Sequence, residues 1–337
     1  MGVWKIHIKG GGVILSGEAI EPFDFDRIAE KYGVTNRLMK SARIGVADLA
    51  AIYNDYADRY AGICEVRSEL AQVFDGYFFG DGATQGVHSL RSRAKDPEHV
   101  VEKIIRNRHA NWNKYKRLDK TNYYKLLTDL VGLRVLLFNR TDWKTVHTVM
   151  LEHFDVLERG FASSAEDLIL SYDECESRCD ELVSAEATKL GYLIERPVAY
   201  VTSPLDRTLY KGSGIRIQDS KERYRSVHYI GCYKGVFFEL QVRTVFEEAW
   251  LEFSHSVLYP YDLINAKKNA YVRILKDAAT VADGLVMFYD GDDFQRQINT
   301  ADEGIATVQS LANSATAGLS STELNANTLN DLLIAYY

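Results

Sequence analysis

Four stretches of the sequence gather residue types that could handle a polyphosphate. RSRAKDPEHVVEK (91–103) brings Arg93 and Lys95 to the entry of a helix and places Lys103 inside it. DLVGLR (129–134) carries Asp129 and Arg134, and YRSVHY (224–229) carries Tyr224 and His228. ELQVRT (239–244) adds Glu239, Gln241 and Arg243. Two cations at a helix entry, with a third farther in, suit a triphosphate, because the helix start adds backbone N–H groups and the positive end of its dipole. Asp129 and Glu239 are read as carboxylates at sheet strands. Magnesium takes one or two carboxylates together with substrate phosphates, and it would offset phosphate charge and polarise the phosphorus under attack. Tyr224, at a turn, offers a flat face on which a base could stack.

Each residue also has a plainer reading. Asp129 could cap the turn into its strand. Glu239 and Arg243 could form an exposed ion pair across the sheet, worth ~0–1 kcal/mol. Tyr224 is one of 21 tyrosines and could simply pack. His99 could be a histidine on a helix face.

These residues need a scaffold, and the periodicities describe one. In VFFELQVRT (236–244) alternate side chains point to opposite sides of a strand, so Phe238, Leu240 and Val242 share a core face while Glu239, Gln241 and Arg243 share the other. YRSVHYIGCYKGVFFELQVRT (224–244) reads as a hairpin turning at Lys234-Gly235. Asp96 caps a helix with Pro97 in its first turn; Val100, Val101, Ile104 and Ile105 supply its buried side, and Lys95, His99, Lys103 and Arg106 a polar stripe. LLTDLVGLRVLLFN ends as an apolar strand near the centre of a sheet. HFDVLERG and RPVAYVTS read as further strands, with an acidic helix over 166–190 between them. A short opening strand and then helices are expected over 1–85, including an amphipathic helix over 47–74. GDGATQG (80–86) is a break, and helices are expected over 245–259 and 266–290. The tail, 291–337, has only a weak helical pattern. The whole is an α/β chain with helical extensions at both ends.

Composition narrows the class. The 337 residues are 46% hydrophobic and 26% charged, as in a globular protein, and no apolar run approaches a membrane span. The N-terminus lacks the apolar core of a signal peptide, and four scattered cysteines fit reduced thiols, so a cytoplasmic, non-membrane protein is expected. The net charge of -7 argues against a general nucleic-acid coat. That charge is uneven: between His88 and Arg140 thirteen Lys/Arg face five Asp/Glu, whereas residues 163–190 hold two against eight. A basic block in an acidic chain suggests a local anionic ligand; a solvated basic helix would look the same.

In this order and spacing the motifs resemble the synthetase region of the RelA/SpoT family of alarmone synthetases. RAKDPEHVVEK resembles its R-x-K-x-x-x-S-x-x-x-K helix entry, DLVGLRV its metal-bearing strand, and YRSVHY its G-Y-x-S-x-H acceptor loop. ELQVRT resembles its E-x-Q-x-R-T strand, and AWLEFSHSVLY its A-W-x-x-x-x-H-x-x-x-Y helix. The resemblance covers roughly residues 86–262, between a helical region over 1–85 and a helical extension over 263–337. It implies a nucleotidyltransferase-like mixed β-sheet flanked by helices, and transfer of the β,γ-pyrophosphate of ATP to the 3′-hydroxyl of GDP or GTP, giving (p)ppGpp and AMP. By the same resemblance Arg93, Lys95 and Lys103 hold the ATP phosphates, and Arg134 with an arginine of the RSR segment flanks adenine. Asp129 and Glu239 serve Mg²⁺, and Glu239 also helps deprotonate the attacking hydroxyl. Tyr224 stacks on the acceptor base, His228 lies near it, and Gln241 and Arg243 order the strand face and bind phosphate.

The chain departs from the motifs at His99, where Ser is common, and at Arg223, where Gly is common. Toxin-like relatives pyrophosphorylate the tRNA 3′ end or adenosine nucleotides, and the basic run KYKRLDK (114–120) could be a tRNA-backbone contact or a solvated helix end. A nucleotide-sensing module without turnover is a third alternative. No His-Asp dipeptide marks a hydrolase metal site, so a synthetase without hydrolase activity is expected. The flanking helices are candidates for contact with a second copy or an antitoxin.

Overall fold

The computed structural model describes residues 20–81, 86–157, 164–182, 189–220, 224–258 and 266–288. The expected opening strand, Arg223 and the 291–337 tail lie outside them.

Three helices come first: α1 (Phe25–Tyr32), α2 (Asn36–Ala42) and the long α3 (Val46–Phe79). Asp24 and Thr35 cap the first two by accepting from backbone N–H groups, and Gly33 ends α1 in the left-handed conformation that glycine tolerates. The amphipathic helix expected over 47–74 lies within α3, where Leu49, Ile52, Tyr53, Tyr56, Ile63 and Leu70 of its expected stripe are buried, Tyr60, Val66 and Val73 are partly buried, and Phe74 rather than Val73 completes the core side.

The central region opens with β1 (Val87–Ala94) and α4 (Pro97–Ala110), followed by the short α5 (Trp112–Tyr115) and α6 (Tyr123–Leu126). Then come β2 (Val131–Leu137), α7 (Trp143–His153), β3 (Phe154–Val156), α8 (Ala165–Leu182), β4 (Gly191–Leu193), β5 (Val198–Val201) and α9 (Pro204–Tyr210). The chain continues through β6 (Arg216–Asp219), β7 (Ser226–Tyr233), β8 (Val236–Thr244), α10 (Val245–Leu258) and α11 (Ala266–Phe288).

The eight strands form one mixed sheet in the order β1-β2-β8-β7-β4-β3, with β5 also pairing β7 and β6 pairing β5. At its centre β2 runs parallel to β8, while β1 on β2 and β7 on β8 are antiparallel. The β7–β8 turn falls at Lys234-Gly235, both with positive φ (47° and 70°), as a tight hairpin turn requires.

Phe238, Leu240 and Val242 are buried on one face, and Phe238 meets Phe74 of α3 and Phe154 of β3. Burying such a side chain is worth about 1.5–3 kcal/mol, so this face anchors the sheet on the helical layer.

Four expectations are corrected. Residues 87–94 form a strand, so Arg93 stands on β1 and only Lys95 lies in the link to α4. Asp129 lies in the turn before β2, not on the strand. Two short strands, β4 and β6, interrupt what reads as loop, because three or four residues carry too little alternation to be seen. The acidic helix spans Ala165–Leu182, with 183–188 outside the described residues.

At Gly191 a methyl group would lie 2.3 Å from the Cys232 carbonyl oxygen, a backbone atom of the neighbouring strand. Gly191→Ala should therefore push β4 off β7 and cost about 1–3 kcal/mol of unfolding free energy. A urea midpoint equal to wild type would contradict this close approach.

Candidate active site

The strand registers put the singled-out side chains on one face. Arg91 of β1, Arg134 of β2, Gln241 of β8 and His228 of β7 lie side by side in one row. In the adjoining row Arg93 pairs with Gly132, and Gly132 with Glu239. Successive residues of a strand alternate faces, so this polar face backs directly onto the apolar one.

At one edge of the face stands a cation cluster. Lys95 follows β1, where its N–H donates to the Leu130 carbonyl (2.8 Å) and its own carbonyl accepts from the Tyr56 hydroxyl (2.7 Å). Its ammonium group is 2.8 Å from Asp129 Oδ2, and Lys103, two turns into α4, donates to the same oxygen. Asp96 caps this helix by accepting from the N–H groups of Glu98 and His99, with Pro97 in the first turn.

Burial pushes the Lys95 amine down to about 8, against the pull of Asp129 and with help from Lys103 and Arg93. Burial alone would raise the Asp129 carboxyl, but the two lysines overcome it and hold the acid well below the usual range. Arg93 feels burial first and then the like charge of Arg134, and both lower it. Lys95, Lys103 and Arg93 together outnumber the one carboxylate between them, so the cluster keeps a surplus of positive charge for an anion.

The strand floor is a chain of side-chain contacts. His228 Nδ1 is 3.0 Å from Glu239 Oε1, the Gln241 amide donates to Glu239 Oε2 (2.8 Å), and Arg243 donates to the Gln241 carbonyl oxygen. Burial, the largest effect, raises the Glu239 carboxyl, but His228 and Lys103 together overcome it against Asp129, and the acid is held at about 2. Asp129 and Glu239 thus stand close enough to feel each other's charge. The ion pair between Glu239 and Arg243 does not form: Gln241 stands between them, and Arg243 turns to Glu248 at 3.4 Å.

Glu248 is the acid that sequence reasoning missed. It also pairs with Arg134 at 2.6 Å and lies 4.0 Å from Arg91, while Glu252 is 3.0 Å from Arg91. Glu247 and Glu248, the two acids in the first turn of α10, look like ordinary compensation of the helix dipole. The signal was their position directly after the arginine-bearing end of β8.

Tyr224 enters β7 next to two rings, stacked on His228 (centroids 6.0 Å apart) and tilted against Tyr200 of β5 (5.4 Å). These three form an aromatic corner at the far side of the face from the lysines. The run 114–120 is mixed: Lys116, Arg117 and Lys120 are exposed, whereas Lys114 is half-buried and burial lowers its amine.

Among the described residues, buried Asp129 Oδ1 and His228 Nε2 are polar side-chain atoms at this face without a hydrogen-bond partner. Among the described residues no group of three or more His, Cys, Asp or Glu side chains gathers as a self-contained metal site. Two carboxylates, one with a buried unpartnered oxygen, beside a cationic cradle are the donor set that Mg²⁺ shares with a polyphosphate. Asp129 and Glu239 are therefore the described residues that would hold a Mg²⁺ ion shared with a polyphosphate.

His99 lies one turn after Lys95, its ring stacked on Tyr32 of α1 (5.5 Å) and 3.5 Å from Glu102. Burial first, then Lys95 and Arg93, push it down to about 3. A histidine neutral in the fold and charged when unfolded contributes stability above the unfolded value of 6.5 that is lost as pH falls toward 3. His99→Gln should flatten that fall in urea stability relative to wild type. Identical slopes for the two proteins across this window would contradict a buried neutral imidazole.

A sequence model of the region found in RelA/SpoT proteins matches residues 92–263. No curated protein sequence gives a match. Among solved structures the chain is similar to small alarmone synthetase 1 from Bacillus subtilis, at 16% identity over 73% of this chain and 99% of that one, with a TM-score of 0.44. It is also similar to a GTP pyrophosphokinase family protein from Streptococcus pneumoniae, at 19% identity over 72% and 95% of the two chains, with a TM-score of 0.41. The B. subtilis synthetase bound to its product pppGpp gives 15% identity over 72% and 97%, with a TM-score of 0.41. The family match spans half of the sequence and takes in the stretches that build the polar face except Arg91, and the chain belongs to the RelA/SpoT family.

Proposed function

We propose that this chain transfers the β,γ-pyrophosphate of ATP to the 3′-hydroxyl of a guanosine nucleotide, GDP or GTP. The products are ppGpp or pppGpp and AMP. Pyrophosphate transfer is the family-level reading; the guanosine acceptor is the finer one. The observation that carries it is the convergence of Lys95 and Lys103 on Asp129, with Glu239 on the adjoining strand.

In this reading Arg93, Lys95 and Lys103 bind the triphosphate, their surplus positive charge meeting its negative charge in a partly buried cradle where such contacts are strong. Arg134 and Arg91, held by Glu248 and Glu252, present guanidinium planes for the adenine ring. Bound by Asp129 and Glu239, Mg²⁺ would offset phosphate charge and make the β-phosphorus more electrophilic. Tyr224 stacks on the acceptor base, and His228 orders the neighbouring strand face. Glu239 accepts the hydrogen bond of the 3′-hydroxyl and takes its proton as the new O–P bond forms. The bond between the β-phosphorus and the α,β-bridging oxygen breaks, and AMP leaves with that oxygen. Gln241 and Arg243 keep Glu239 oriented by occupying its flank and contribute to phosphate binding.

The test offers ATP labelled at the γ position, with Mg²⁺, separately to GDP, GTP, an adenosine nucleotide and deacylated tRNA. Label on GDP or GTP supports the proposal. Label confined to tRNA or to the adenosine nucleotide replaces the acceptor, and ATP binding without transfer to any of them replaces catalysis with nucleotide sensing. Asp129→Asn and Glu239→Gln should each lower turnover by at least ~10²-fold, as loss of transition-state charge stabilisation does, with an unchanged circular dichroism spectrum. Near-normal turnover in either variant removes that residue from the site. Tyr224→Ala should raise the KM for the acceptor by about tenfold, the size of one lost stacking contact, and leave the KM for ATP in place. An equal rise in both constants would take Tyr224 off the acceptor.

A further inference from the structure

Behind the acceptor side of the sheet lies a second charged cluster, buried and separate from the polar face. It contains three cations, Arg140, Arg225 and Lys276, and three acids, Asp206, Glu247 and Asp283, none more than 8% exposed. Arg140 follows β2, Asp206 belongs to α9, Arg225 precedes β7 and Glu247 begins α10. Lys276 and Asp283 come from α11, which starts after the family match ends at residue 263.

The contacts converge on Arg225. Its Nε donates to Glu247 Oε1 (2.7 Å), its Nη2 lies 2.9 Å from Asp283 Oδ2, and its Nη1 lies 3.8 Å from Asp206. Its backbone N–H, the amide shared with Tyr224, donates to Glu247 Oε2 (3.2 Å). Lys276 contacts both oxygens of Glu247 at 2.5 Å, and Asp283 is shared with Arg140 Nε at 3.0 Å. Trp250 of α10 fastens the same helix: its indole N–H donates to the Val272 carbonyl (2.9 Å), and the Lys276 ammonium lies over its ring at 4.6 Å.

We infer that α11 is a positioning element for acceptor binding, acting through Lys276, Asp283 and Glu247 on Arg225 and so on the peptide bond that sets Tyr224. The physical reason is rigidity. A single hydrogen bond to a loop amide leaves that loop free to shift, but here the accepting carboxylate is itself held by a lysine and an arginine. Three positive and three negative charges balance, so the cluster is stable only when all its members are docked. With α11 lifted away, Arg225 and Arg140 would lose one carboxylate and Glu247 would lose its lysine. The Tyr224 ring would then lose its fixed pose against Tyr200 and His228, while the lysine cradle on the opposite side would be untouched. Arg225 is in this sense a positioning residue; it is Tyr224 that touches the acceptor. The inference rests on the proposed role of Tyr224.

The test compares wild type with the charge-balanced double variant Lys276→Met/Asp283→Asn, which leaves two cations and two acids and removes only the charged tie from α11, keeping the Trp250–Val272 hydrogen bond. On the acceptor that takes label in wild type, the acceptor KM should rise about tenfold while the KM for ATP stays within about twofold, the split expected when one binding contact is loosened. Lys276→Arg, which keeps the cation, should restore a near-normal acceptor KM. A folded double variant with unchanged acceptor KM, or with both constants raised alike, overturns the inference. Binding linkage gives a readout in the unmutated chain: GDP or GTP should slow amide exchange across Val272–Asp283, and a non-hydrolysable ATP analogue alone should not. Exchange in α11 that responds equally to both nucleotides, or to neither, also overturns it. Transfer to no acceptor in wild type would instead defeat the functional reading, so the two failures are distinguishable.

Discussion

The polar face depends on one carboxylate accepting two ammonium groups. Lys95 is almost wholly buried and Lys103 is half-buried, yet both point at Asp129. Without that acid, two like charges would face each other in a poorly solvated corner and the nearer amine would lose its proton. With it, the corner keeps two ammonium groups charged and close together, in surroundings where a charge acts more strongly than in water. The elements around it exist to bring three distant points together: the end of β1, the second turn of α4 and the turn before β2.

The same logic recurs along the sheet. Arg134 and Arg243 are held by Glu248, and Glu239 by His228 and Gln241, so nearly every charge on the floor is fixed before any ligand arrives. Such preorganisation is what electrostatic catalysis requires, since dipoles and charges already in place need not reorganise during the reaction. The N-terminal helices take part at one remove. Lys31 and Arg27 of α1 grip Glu98, and Tyr32 lies against His99, so the helix carrying Lys103 is steadied from its outer side.

Much of this was legible in the letters, for identifiable reasons. The alternation in VFFELQVRT separates core from floor because β8 is central and long enough to show a period of two. The Asp96-Pro97 start of α4 is legible because capping chemistry is local. Asp129 was placed on a strand because DLVGLRV reads as one run, yet its side chain can reach two lysines only from the turn before β2. The strand carrying Arg93 was missed because VHSLRSRA lacks a clean apolar alternation; its burial pattern reflects an edge strand whose polar side chains serve the site. The six-charge cluster around Arg225 was not legible at all. Its members come from five separate parts of the chain, and nothing in the spacing of Arg140, Asp206, Arg225, Glu247, Lys276 and Asp283 announces that they meet.

The parallel pairing of β2 with β8 carries a consequence for biosynthesis. Val131 lies against Phe238 and Leu137 against Thr244, so the two central strands are separated by most of the domain in chain order. Such distant pairing is entropically slow and cannot begin until the later strand has emerged from the ribosome. A nascent or prematurely terminated chain would hold Lys95, Lys103 and Asp129 but have no Glu239 to complete the floor. The polar face therefore stays open in fragments, and synthesis of the chain must run well past its midpoint before the sheet can close around it.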